Sequence, residues 1–129
     1  MSNIEQTLGL LKWSIENSNS LWQFLHLVII AVVGGAWACR KHTNDNQRWY
    51  ISVIYMIFAI VNLYMIVINQ KSALVSLEVL KQYYIHNYPN DVLLKSLQGL
   101  SIAPITSVSL FHLFIDIVVI TAIIIMPKS

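Results

Sequence analysis

Three apolar runs alternate with polar segments along the chain: Leu21–Cys39, Tyr50–Ile68 and Ile105–Met126. A helix rises about 1.5 Å per residue, so each run covers about 30 Å, the thickness of a bilayer's hydrocarbon core. Only the third holds a formally charged residue, Asp116. The pattern predicts membrane spans at about 21–39, 50–69 and 105–126 within a single membrane domain, 1–129.

The segments between the runs also carry helical periodicity. Ile4, Leu8, Leu11 and Ile15 recur on one side of residues 3–17, with Trp13 near its end. This predicts an interfacial amphipathic helix, or a helix packed on the bundle or a partner, broken by Asn17-Ser18-Asn19-Ser20. Ser20 and Gln23 have capping-box spacing at the start of the first span. Asn69-Gln70-Lys71-Ser72 is expected to end the second span. Leu74, Leu77, Leu80 and Tyr84 then mark a short helix, Asn87–Asp91 a turn, and residues up to Leu97 a second short helix ended by Gly99. The 72–99 region is thus expected to form an extramembrane helical hairpin, with a re-entrant pair as the alternative. Pro104 suits the start of the third span. The expected fold class is an all-α integral membrane protein: a three-span bundle, an N-terminal interfacial helix, and a helical hairpin before the last span.

Composition narrows the function classes. Of 129 residues, 57% are hydrophobic and 11% charged, against about 25% charged in soluble domains. The formal charge is +2 and no Lys/Arg cluster exceeds two residues, so nucleic acid is not an expected partner. Cys39 is the only cysteine, which leaves no intrachain disulfide and no Cys-rich metal site. Ala36-Trp37-Ala38 resembles a signal cleavage site, but Glu5 and Glu16 against Lys12 make a poor basic leader, so the first run is expected to remain as an anchor. Arg40, Lys41 and Arg48 crowd one short loop. The positive-inside rule then puts loop 40–49 in the cytoplasm and the N-terminus outside, in a cell membrane or an organelle inner membrane.

Polar residues inside the spans fall on stripes. Thr106, Ser109, His112 and Asp116 follow steps of three, three and four, and Ser52, Tyr55, Ala59, Asn62, Ile66 and Asn69 make a heptad seam. Gln23, His26, Ile30 and Trp37 share a side of the first span. Ala31, Gly34, Gly35 and Ala38 provide small-xxx-small pairs for close helix packing, with Ala59 as a small seam residue. By depth, His26 lies about 8 Å into the core, and Asn62 and His112 about 10 Å. Asp116 is deeper, opposite Ala59 and Tyr55. His26, Asn62, Ser109, His112 and Asp116 are therefore the candidate polar layer: hydrogen bonds that tie helices together, or a pair that holds a proton that moves.

Other chemistry is thinly supported. His26 and His112 sit on different spans, as a bis-imidazole haem b or a quinone site needs, and Gly34 and Gly35 would give a macrocycle room. No cofactor is the expectation, with haem b as the alternative. With Asp116 the two histidines supply only three metal ligands, so no metal site is expected. No G-x-S-x-G, H-E-x-x-H, P-loop or C-x-x-C motif occurs. Ser109, His112 and Asp116 share one helix stripe, which cannot place a base between nucleophile and acid, so an enzyme is not the expectation. His42 and His86 read as solvated, and Tyr83, Tyr84 and Tyr88 as an interfacial aromatic belt. Three spans bury little surface, so the expected role is a membrane subunit that assembles with itself or with other membrane proteins. Its polar layer could pass protons or small ions. The alternative is the membrane anchor of a redox complex.

Overall fold

The computed structural model describes residues 2–128. The described residues form four helices and no strand: α1 (Asn3–Ala38), α2 (Asp45–Asn87), α3 (Val92–Gly99) and α4 (Ile105–Ile125). α1, α2 and α4 are long and apolar enough to cross a membrane. Their outer faces carry bare apolar side chains, with Ile30, Ile57 and Phe114 all more than 60% exposed, as lipid-facing positions should be.

Two expected helix breaks are absent. α1 runs without interruption through Asn17–Ser20, and α2 through Asn69–Ser72. Ser and Asn break helices by offering their backbone an alternative hydrogen bond, and here most of those side chains are engaged elsewhere. Asn17 donates to Asn69 Oδ1 at 3.0 Å, and Ser14 donates to Ser72 Oγ at 3.0 Å. Ser20 bonds the Glu16 carbonyl one turn back and so caps nothing. The observed capping box lies at Ser2 and Glu5, where the chain enters α1. Gln70 donates to the Ala103 carbonyl at 2.7 Å, tying α2 to the lead-in of α4.

Helices of 36 and 43 residues extend about 54 and 65 Å, well beyond a hydrocarbon core of about 30 Å. The surplus forms a headpiece on the side of the N-terminus. Residues 3–17 are therefore the outer half of α1, packed on α2, and not a separate interfacial helix. The first arm of the expected hairpin is likewise the end of α2, and only α3 is a separate piece. Leu11, Ala73, Leu77, Leu80 and Leu97 form the headpiece core, flanked by Ile4, Ile15, Tyr84, Leu93 and Ile102. Tyr83, Tyr84 and Tyr88 cluster with ring centroids 5.4–6.1 Å apart. They sit at the tip of α2, about 22 Å past the end of its apolar run, and so cannot form a membrane belt.

α3 has 8 residues, too few to be stable alone. Asp91 caps it by accepting from Leu93 N at 2.8 Å, and Leu94 and Leu97 are its buried contacts. Asp91→Ala should cost about 1 kcal/mol. The measurement is amide exchange of α3, which should quicken while α4 stays protected.

One stripe organises the bundle. Arg48, Ser52, Tyr55, Ala59, Asn62, Ile66, Asn69, Ala73, Ser76 and Leu80 are all buried on α2. They alternate steps of four and three, the spacing of left-handed helix packing. The membrane half of this seam holds Tyr55 and Ala59 against Val119 and Ile123 of α4, with Val28, Ile29 and Val32 of α1 closing the side.

The expected small-residue packing is not made within the chain. Ala31, Gly34, Gly35 and Ala38 are exposed, and a Cβ added at either glycine would meet nothing within 4 Å. α1 instead presents Leu25 and Ala36 as its buried span residues. At the loop end, Asn44 and Gln47 form a capping box for α2. Arg48, only 5% exposed, donates to the carbonyls of Met126 and Arg40 and pins the end of α4 to the loop. Lys128 pairs with Asp45 at 3.0 Å at the same end. Arg48 is thus an internal tie, and the loop's surface charge rests on Arg40 and Lys41.

Candidate functional site

The heptad seam of α2 and the matching stripe of α4 bring four polar side chains into one closed line. Tyr55 Oη donates to Asp116 Oδ1 at 2.8 Å. Asp116 Oδ2 lies 2.6 Å from His112 Nδ1, one helical turn away on α4. His112 Nε2 lies 3.2 Å from Asn62 Nδ2. His112 is 0% exposed and Asp116 8%.

One arrangement of protons satisfies every contact in the line. In it Asp116 is a carboxylate that accepts Tyr55 O–H on one oxygen and His112 Nδ1–H on the other. With Nδ1 protonated and Asn62 donating its amide, Nε2 is an acceptor and the imidazole is neutral. If Nε2 gains a proton it becomes a donor, and a half-turn of the Asn62 amide offers Oδ1 in place of Nδ2. Each protonation state of the imidazole is therefore satisfied at the cost of one amide rotation.

Apolar groups seal the line on most sides. Val119 and Ile123 close it toward the loop end, Ala59 fills the seam between Tyr55 and Asn62, and Ile66 and Val108 are buried one turn beyond it toward the headpiece. Trp22 of α1 packs on His112 with ring centroids 5.5 Å apart, and on Phe111 at 5.9 Å. The remaining seam hydroxyl near the line, Ser52 Oγ, is buried without a hydrogen-bond partner.

Of the five residues expected in the polar layer, Asn62, His112 and Asp116 come together. His26 does not join them: it is exposed on α1, with Nδ1 on its own Trp22 carbonyl at 2.7 Å. Ser109 is half-buried, and Val108 takes the fully buried position on α4. The bis-imidazole haem arrangement does not fit these positions. Both ring nitrogens of His112 are already engaged within the network, and Gly34 and Gly35 point outward. No group of three or more His, Cys, Asp or Glu side chains converges among the described residues.

Two residues of the site lie beyond the expected layer. Tyr55 stands on the heptad seam, one step before Ala59, and that spacing is the signal that finds its donor role. Trp22 stands near the start of the first apolar run, where indole rings favour the interface, and its place in the site comes from its contact with His112.

Fold and site together define an all-helical membrane protein of three spans, with a buried titratable pair between the second and third. No known protein family, curated protein or solved structure matches the chain.

Proposed function

We propose that this protein is a membrane subunit that passes protons through the Asn62–His112–Asp116–Tyr55 line and works within an assembly. The observation that carries this reading is the closed His112–Asp116 pair deep in the spans, with both imidazole nitrogens and both carboxylate oxygens engaged. An aspartate at the bilayer centre costs about 2.5–3.5 kcal/mol on insertion scales. Packing alone does not call for it, because apolar replacements of buried ion pairs are often neutral or stabilising. A proton arriving at Nε2 makes an imidazolium. Its Nδ1 proton passes to Asp116 Oδ2, leaving a neutral imidazole and a neutral carboxyl. The pair gains one proton, and the Asn62 amide turns to follow it. Tyr55 and then Ser52 are the next hydroxyls toward the loop.

The assembly half of the reading rests on α1. Its outward face presents Ala31, Gly34, Gly35 and Ala38 in the span, a surface on which a neighbouring helix could approach closely. We place the loop between α1 and α2 in the cytoplasm, from Arg40 and Lys41.

Purified protein in liposomes containing a pH-sensitive dye tests this. An imposed proton gradient should dissipate through the wild-type chain, and Asp116→Asn should slow it by about a hundredfold with assembly intact on gel filtration. Unchanged flux in Asp116→Asn would end the reading. So would absence of wild-type flux combined with loss of assembly in the variant, which would make the line a structural tie.

A further inference from the structure

We infer that a cleft in the headpiece side of the bundle is the aqueous vestibule of the proton line, and that the Trp22 indole is the gate between this vestibule and His112. The inference rests on the proton reading above and gives it a side and a controlling residue.

The cleft encloses about 270 Å³ where α1, α2 and the stretch before α4 meet. That is room for several waters. Ser18, Asn19, Gln70 and Ser101 supply polar groups to its walls, and the rest of the lining, Trp22 and Val108 included, is apolar. The four polar side chains offer the hydrogen-bond partners a bound water needs, while Ile15, Ala73 and Ile102 are shared with the apolar headpiece core. Val108 lies one turn before His112 on α4, so the cleft ends within a turn of the titratable pair.

Trp22 is the side chain that belongs to both places. It lines the cleft and also packs its ring 5.5 Å from the imidazole, at 51°. A rotamer change of this one half-buried side chain would connect vestibule and imidazole without moving a helix. At the loop end a cleft of about 300 Å³ is lined by Asp45, Arg48, Trp49 and Ile124, and Ser52 stands between it and Tyr55 on α2. Below Tyr55 the seam is filled by Val119 and Ile123, the latter 0% exposed. In this conformation the headpiece cleft comes within one turn of the pair at Val108, and the loop-end cleft stops at Arg48, two turns from Tyr55. The buried Ser52 hydroxyl, one turn from Tyr55 and one from Arg48 on the same stripe, marks where the route to the loop side would have to open.

Access can be read without flux. Full-length protein in liposomes is treated with diethylpyrocarbonate, and acylation of each histidine is followed by peptide mass spectrometry. Exposed His42 and His86, both outside the spans, serve as internal references. Wild-type His112 should react slowly, Trp22→Ala should quicken it by roughly tenfold or more, and Trp22→Phe should stay near wild type, because a shielded group reacts through its open fraction. In a Cys39→Ser background, Ser101→Cys should be modified by a water-soluble thiosulfonate and Ile123→Cys should not. An unchanged His112 rate in a Trp22→Ala chain that still runs as folded protein would overturn the gate, and an unreactive Ser101→Cys would overturn the vestibule. These readouts also separate the two ideas. Labelling as expected with no proton flux removes the conduction reading and leaves the vestibule. Flux that depends on Asp116 but ignores Trp22 removes the gate.

Discussion

His112→Ala is expected to destabilise the bundle by about 3–5 kcal/mol, the cost of leaving a buried carboxylate without its partner. The variant strands the Asp116 carboxylate with Tyr55 as its one remaining donor, and it empties the space of a fully buried ring. Replacing both partners together, His112→Leu with Asp116→Leu, should behave differently. Removing the charge along with its partner leaves only the Tyr55 hydroxyl and the Asn62 amide to re-pair, so the double variant should recover most of the loss. Equilibrium unfolding in mixed micelles, run as a double-mutant cycle, measures both. A double variant as unstable as His112→Ala would mean that the pair is needed for folding in its own right. A stable double variant that conducts no protons would separate the function of the line from its packing.

The second large effect belongs to the headpiece. Leu80 is fully buried between α2 and its neighbours. Leu80→Ala removes three heavy atoms from a core that cannot collapse freely around two long helices, and should cost about 2–5 kcal/mol. The loss should be local. α3 is held by the Leu97 contact and the Asp91 cap, so it should detach first. The turn at Tyr88–Asp91 would then be cut by protease, while the spans stay folded. Limited proteolysis read beside the detergent unfolding transition decides this. Equal loss in both would show that headpiece and spans melt as one unit, coupled through the Ser14–Ser72 and Asn17–Asn69 bonds.

Those two bonds also mark where the sequence misleads. Asn17–Ser20 and Asn69–Ser72 look like breaks because a lone Asn or Ser competes with its own helix. Placed opposite each other on antiparallel helices, several of them pair across the interface, and both helices continue. Nothing local to either segment reveals this. The same holds for the polar layer. One residue along a helix is about 100° of rotation, so His26, next to buried Leu25, falls outside the seam, and Ser109 yields to Val108 for the same reason. Ala31, Gly34, Gly35 and Ala38 show the spacing of a helix contact, yet spacing cannot name the partner, and within this chain they have none.

By contrast, the length of the three apolar runs, the four–three seam of α2 and the proximity of His112 to Asp116 four residues on are properties of the chain itself. Run length against bilayer thickness determines the spans, and one helical turn determines the pair. The seam spacing nominated Tyr55 and Asn62, but tertiary structure alone decided that they, and not His26 or Ser109, complete the line, that Trp22 covers it, and that Arg48 closes the loop end. Each of those contacts joins residues far apart in the chain, and the rotation and register that bring them together are set by the packing of whole helix faces.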